Sequence, residues 1–108
     1  LKIVGEWKLY FDWGCQGTFS EGGTIVFNDD GTFGKNAGKW VQLNGMVIFR
    51  FADTLATYSG NVVGNIMVGI MTDWVAGVGC WYAIRTKIKT FKVKDWKPEF
   101  DVTGKKLR

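Results

Sequence analysis

The residues of this chain best suited to chemistry are three aspartates and two tryptophans, arranged as Asp12-Trp13, Asp53 and Asp73-Trp74. Each Asp-Trp pair sets a flat π face beside a hydrogen-bond acceptor. That combination suits stacking on an apolar molecule or a sugar ring while a carboxylate takes bonds from hydroxyls. Hydrolysis of a glycoside would ask more, two carboxyls at a defined separation. Aspartates among glycines also read as ordinary solvated turn formers. Histidine is absent, which removes the commonest general base and the usual ligand for haem and zinc. Two cysteines without a third, and without histidine, do not make a zinc site. No nucleophile elbow or phosphate-cradling loop occurs. The residue types therefore point to binding rather than catalysis, and no catalytic residue, metal ligand or cofactor is assigned.

What must position these side chains is a set of short strands. The chain has 108 residues, 46% hydrophobic and 16% aromatic, with 15 glycines and a single proline. That is enough for one core, in one domain. Strands are expected over Gly5–Phe11, within Gly17–Asn28 (with a bulge at Gly22-Gly23), at Thr32-Phe33, and over Lys39–Leu43. Four more follow: Met46–Phe51, Thr54–Val63, Ile66–Met71 and Cys80–Arg85. Trp7, Leu9 and Phe11 alternate with Lys8 and Tyr10 as a half-buried strand requires. Asp29-Asp30-Gly31, Asn44-Gly45 and Gly64-Asn65 are tight-turn sequences. No stretch has a helical period and no apolar run is long enough for a membrane helix.

About eight hairpin-connected strands form an all-β, single antiparallel up-and-down barrel, which removes exposed sheet edges. Its tight turns then share one end. The longer loops Asp12–Gln16, Gly34–Gly38 and Thr72–Val78, with the Ala52-Asp53 corner, share the other and form the mouth. Pairing the first strand with the last places Trp7 opposite Arg85. Nearly the same register brings Cys15 to Cys80. The two cysteines are either a disulfide or a pair of buried thiols. A bridge implies an oxidising, extracytoplasmic setting, secreted or periplasmic.

Gly5-Glu6-Trp7, with Arg85 at the end of the last strand, resembles the Gly-x-Trp signature and packing arginine of the lipocalin and avidin-like (calycin) barrels. The resemblance covers about residues 5–85. It implies a barrel whose mouth holds small molecules, and it carries over no particular ligand.

The mouth reading assigns Trp13, Asp53 and Trp74, with Asp12 and Asp73, to a small apolar or amphipathic ligand. Both tryptophans equally suit a role as filler, folded into the barrel end. Trp7, Leu9, Phe11, Val47, Phe49, Phe51, Ile66, Val68 and Ile70 share a face. If that face points inward, Met46, Met67, Met71, Tyr10, Tyr58 and Tyr82 lie outward. A filled bore would favour a second function, a structural or assembly module. A third is glycan binding at the Asp-Trp pairs.

Residues 1–84 carry five basic and seven acidic side chains, whereas 85–108 carry nine against three. The chain thus divides into a barrel, 1–85, and a basic C-terminal arm, 86–108, packed on the barrel or joining subunits in a homo-oligomer. Confining the positive charge to one arm argues against nucleic acid as a partner. The chain opens on Leu1 without a signal-peptide pattern, as a processed product or a piece of a longer chain would.

Overall fold

A computed structural model describes residues 2–54 and 56–87 of the protein. The expected C-terminal arm lies outside the described residues from position 88 onward. The described chain is all β, with eight antiparallel strands in sequence order around a closed barrel. They are β1 (Gly5–Trp13), β2 (Ser20–Phe27), β3 (Thr32–Phe33), β4 (Gly38–Leu43), β5 (Met46–Phe51), β6 (Thr57–Val63), β7 (Ile66–Asp73) and β8 (Gly77–Lys87). No helix long and apolar enough to cross a membrane occurs among the described residues.

Sequence and structure agree closely on the strands, with one systematic difference. At the mouth, β1, β7 and β8 continue beyond their expected ends. The Thr72–Val78 stretch is a hairpin with only residues 74–76 in its turn, and Asp73 pairs with Gly77. Asp12 and Trp13 likewise stay in β1, paired with Cys80 and Gly79. The bulge in β2 falls where the paired glycines indicated. Leu9 pairs with Gly23 and Tyr10 with Glu21, leaving Gly22 over. From Ser20 to Ile25, β2 pairs only with β1, because β3 is two residues long and meets β2 at Phe27–Phe33.

Trp7 does pair with Arg85 across the closing β1–β8 seam. Trp7, Leu9, Val47 and Phe49 point inward and are buried, as their alternation requires. On β7 the expected facing holds at Ile66, which is buried, and is exchanged beyond it. Met67 and Met71 are buried, while Val68 and Ile70 are exposed; Tyr58 is buried as well. The cause is the mouth hairpin, whose register sets Met67 beside Ala83 and Gly69 beside the inward Trp81. The tyrosines and methionines are therefore divided between the two faces, with Tyr10, Tyr82 and Met46 outside.

Aromatic rings occupy the bore. Phe49 stacks on Tyr58 at 4.9 Å and meets Phe27, Phe33 and Trp81 edge-on. Edge-to-face pairs put positive ring edges against negative faces, a gain beyond the area they bury. Trp81 crosses the sheet to donate from Nε1 to the Ile70 carbonyl at 2.9 Å, so its one polar atom is satisfied. Below it, Gly60 and Gly69 pair directly. A Cβ on Gly69 would collide with the Ser59 carbonyl oxygen and lie 2.6 Å from the Gly60 Cα.

Gly69→Ala is therefore expected to cost about 3 kcal/mol or more, read as a lowered urea midpoint, or to prevent folding. An unchanged midpoint would show that the strands separate freely at this point. Tyr58 provides a pH test. Burial, and then the charge of Asp73, holds its phenol above the ordinary ionisation range. The resulting stability is complete below about pH 10 and is lost as pH rises through the raised folded value. Tyr58→Phe is expected to flatten the alkaline fall of the urea midpoint. A fall as steep as in the wild type would mean that other groups cause it.

Candidate functional site

The mouth residues do not form one cluster. Asp12 is buried, and its Oδ2 accepts a 2.7 Å hydrogen bond from the Gly17 amide. That bond folds the loop after β1 over the outer wall of the barrel instead of across its opening. Phe19 from this loop meets Tyr82 edge-on at 4.9 Å, and Tyr82 stacks on Tyr10 at 4.6 Å. Cys15, held at a positive φ of 51°, bonds to Cys80 on the same outer wall, with 5.1 Å between their Cα atoms. The disulfide thus fixes the loop's position rather than lining a pocket.

The two tryptophans take opposite roles. Trp13 follows Trp7, Leu9 and Phe11 on the inward side of β1 and packs partly buried against the core. Gly79 opposite leaves it room, since a Cβ there would sit 3.0 Å from the Trp13 ring and 2.5 Å from the Met71 methyl. Trp13 is therefore the filler of the pair. Trp74 is 91% exposed at the tip of the β7–β8 hairpin, and the adjoining Val75 is 89% exposed. Asp73 organises this tip. Its Oδ1 accepts hydrogen bonds from the Val75 and Ala76 amides, at 2.6 and 3.1 Å. The carboxylate beside Trp74 thus holds the turn that presents the ring. Asp53 is exposed in the β5–β6 connection. Among the described residues no three acidic or cysteine side chains come together as a metal site.

The opposite end is sealed by the expected Trp7–Arg85 pair together with Lys2–Val4 and Gln42, which had no expected role. Ile3 is fully buried, and its amide donates to the Gln42 Oε1 on β4 at 2.9 Å, so Lys2–Val4 crosses beneath the barrel. Arg85, 2% exposed, donates from its two terminal nitrogens to the Val4 and Lys2 carbonyls, each at 3.0 Å. Its guanidinium carbon lies 4.5 Å from the centre of the Trp7 ring. Trp7 in turn donates from Nε1 to the Ile3 carbonyl at 2.8 Å. Burial pushes the Arg85 pKa down from its usual value, and no carboxylate among the described residues pairs with it. A signal for the plug was legible in the apolar Ile3-Val4 just before Gly5.

The sequence also gave little notice of the outer wall of β4–β7. Val41, Leu43, Met46, Ile48, Val68 and Ile70 are all exposed there, Leu43 at 70%. Carrying the inward facing of Trp81 through the mouth hairpin onto Gly69 would have placed Val68 and Ile70 outside.

The disulfide closes a span of 65 residues. Replacing both Cys15 and Cys80 by serine is expected to cost about 2–4 kcal/mol in urea denaturation. It should also speed hydrogen exchange at the Gly17 amide. No loss of stability would mean that the β1–β8 pairing alone sets the loop.

Comparison with known proteins adds no relative: no family model matches the chain, and neither a curated protein nor a solved structure matches it.

Proposed function

We propose that the protein is a non-catalytic binding module that takes an amphipathic small molecule at the loop end, outside its aromatic-filled bore. The exposed Trp74 carries this reading. An indole left in water at the tip of a hairpin, with its turn fixed by Asp73, is a preorganised stacking surface flanked by Val75. Fixing the turn beforehand lowers the entropy lost on binding. The filled bore supports recognition on the surface over enclosure, and Trp13 belongs to that filling. Asp53 is a candidate hydrogen-bond partner from the neighbouring loop.

The barrel is proposed as calycin-like. Arg85 lying over Trp7 supports this, being the relation that the Gly-x-Trp resemblance implies. An extracytoplasmic site of action is proposed on the Cys15–Cys80 bridge. A second reading, an assembly module, is favoured by the exposed apolar wall of β4–β7.

Dodecyl maltoside below its micelle concentration offers sugar rings and an alkyl chain on one molecule. Titrating it is expected to quench or shift tryptophan fluorescence. Trp74→Ala should weaken binding at least about tenfold while leaving the urea midpoint unchanged, since the side chain supports nothing else. Equal binding by the variant would overturn the loop-end reading. Parallel titrations with maltose and with a dodecyl phosphocholine separate glycan recognition from recognition of the chain.

A further inference from the structure

The apolar outer wall is ordered, not scattered. Val41, Ile48 and Ile70 lie in one cross-strand row with Ser59 among them, and Leu43, Met46 and Val68 lie in the next with Asn61 among them. Between β5 and β7 the wall forms a groove of about 400 Å³, lined by Met46, Ile48, Ser59, Asn61 and Ile70 and by the backbone of Gly60 and Gly69. Neither row contains a charged residue on β4–β7; Lys39 and Arg50 begin the next row toward the mouth. A contiguous apolar surface of this kind is a contact surface in search of cover.

We propose that the cover is the chain's own C-terminal arm, with residues 88–97 folded back over the β5–β7 groove of the same molecule. The argument starts from where β8 ends. Lys87 pairs with Glu6 at the sealed end, and β8 lies directly beside β7, which forms one side of the groove. The groove's centre is two strand spacings from β8, about 10 Å. The row of Val68 and Tyr82 stands five residues above Lys87, roughly 16 Å along the wall. About six extended residues cover that path.

Val93 falls at this distance and Trp96 beyond it, with Phe91 on the way, and each is apolar, as the groove is. Lys89, Lys92 and Lys94 alternate among them and meet no cation on the rows beneath. Their stems can lie along apolar surface with the ammonium groups in water. The same chain is favoured over a second copy because so short a tether gives an effective concentration in the millimolar range. The proposal is independent of the loop-end reading, since Trp74 sits at the other end of the barrel.

Limited trypsin digestion of the full chain, followed by intact-mass analysis, tests it. Arm docking should slow cleavage after Lys92 and Lys94 at least tenfold relative to cleavage after Lys105, at protein concentrations where light scattering finds a monomer. The double variant Ile48→Glu, Ile70→Glu places charge on exposed positions of the groove and should abolish that difference, with the Cys15–Cys80 bridge and the circular dichroism intact. Trp96→Ser, which leaves the barrel untouched, should reduce the protection as well. Equal cleavage at Lys92 and Lys105 in the wild type would overturn the proposal. So would protection that appears only at concentrations where a dimer forms, because the groove would then hold another copy's arm.

Discussion

The fold depends on one buried cation. Arg85 sits where the last strand meets the first, covers the face of Trp7, and gives two of its hydrogen bonds to the carbonyls of Lys2 and Val4. Among the described residues no carboxylate pairs with this guanidinium, which is costly to bury, and carbonyl dipoles and the electron-rich indole face replace part of its water. The geometry is demanding, because a planar fork must satisfy two carbonyls while keeping its flat side on the ring. Strand closure, the crossing segment Lys2–Val4 and the position of Trp7 are consequently set together. Moving one disturbs the partners of the others.

Sealing that end closes off an interior packed with aromatic and apolar side chains. Three indole N–H groups, those of Trp7, Trp40 and Trp81, find main-chain carbonyls, so large amphipathic rings are buried without stranding their polar atom. Gly79 supplies the room that Trp13 and Met71 take up, while Gly60 and Gly69 let the β6 and β7 backbones approach closely. With that volume filled, recognition moves to what the strands display outward: a loop-end indole and an apolar flank.

Much of this architecture was legible in the residues. Alternation in β1, the Asn44-Gly45 and Gly64-Asn65 turns and the glycine pair in β2 are local signals, and local signals define strands. The Trp7–Arg85 and Cys15–Cys80 relations could be read because two landmarks constrain one antiparallel register. What failed was the propagation of facing around the sheet. Treating Thr72–Val78 as a loop broke the link between β8 and β7, so the face with Val68 and Ile70 was offered as the inward one, whereas β7 buries Met67 and Met71 and, of that face, only Ile66. A one-residue change in register exchanges every side chain between core and surface. The site was less legible still. Asp12-Trp13 and Asp73-Trp74 look alike in sequence, yet one tryptophan extends the inward row of β1 and the other occupies a turn. Only the hairpin register distinguishes them.

The described chain enters at Lys2 and leaves at Lys87 on the sealed side, while Trp74 stands on the far side. Any anchorage through the N-terminal flank, whether to a neighbouring domain or to a surface, therefore orients the barrel like a lamp on its stand. The indole tip is carried outward by the height of the barrel, clear of whatever holds the base. Grafting a new sequence onto the 74–76 turn would put it in the same forward position, since the attachment points and the display point are separated by the whole length of the strands.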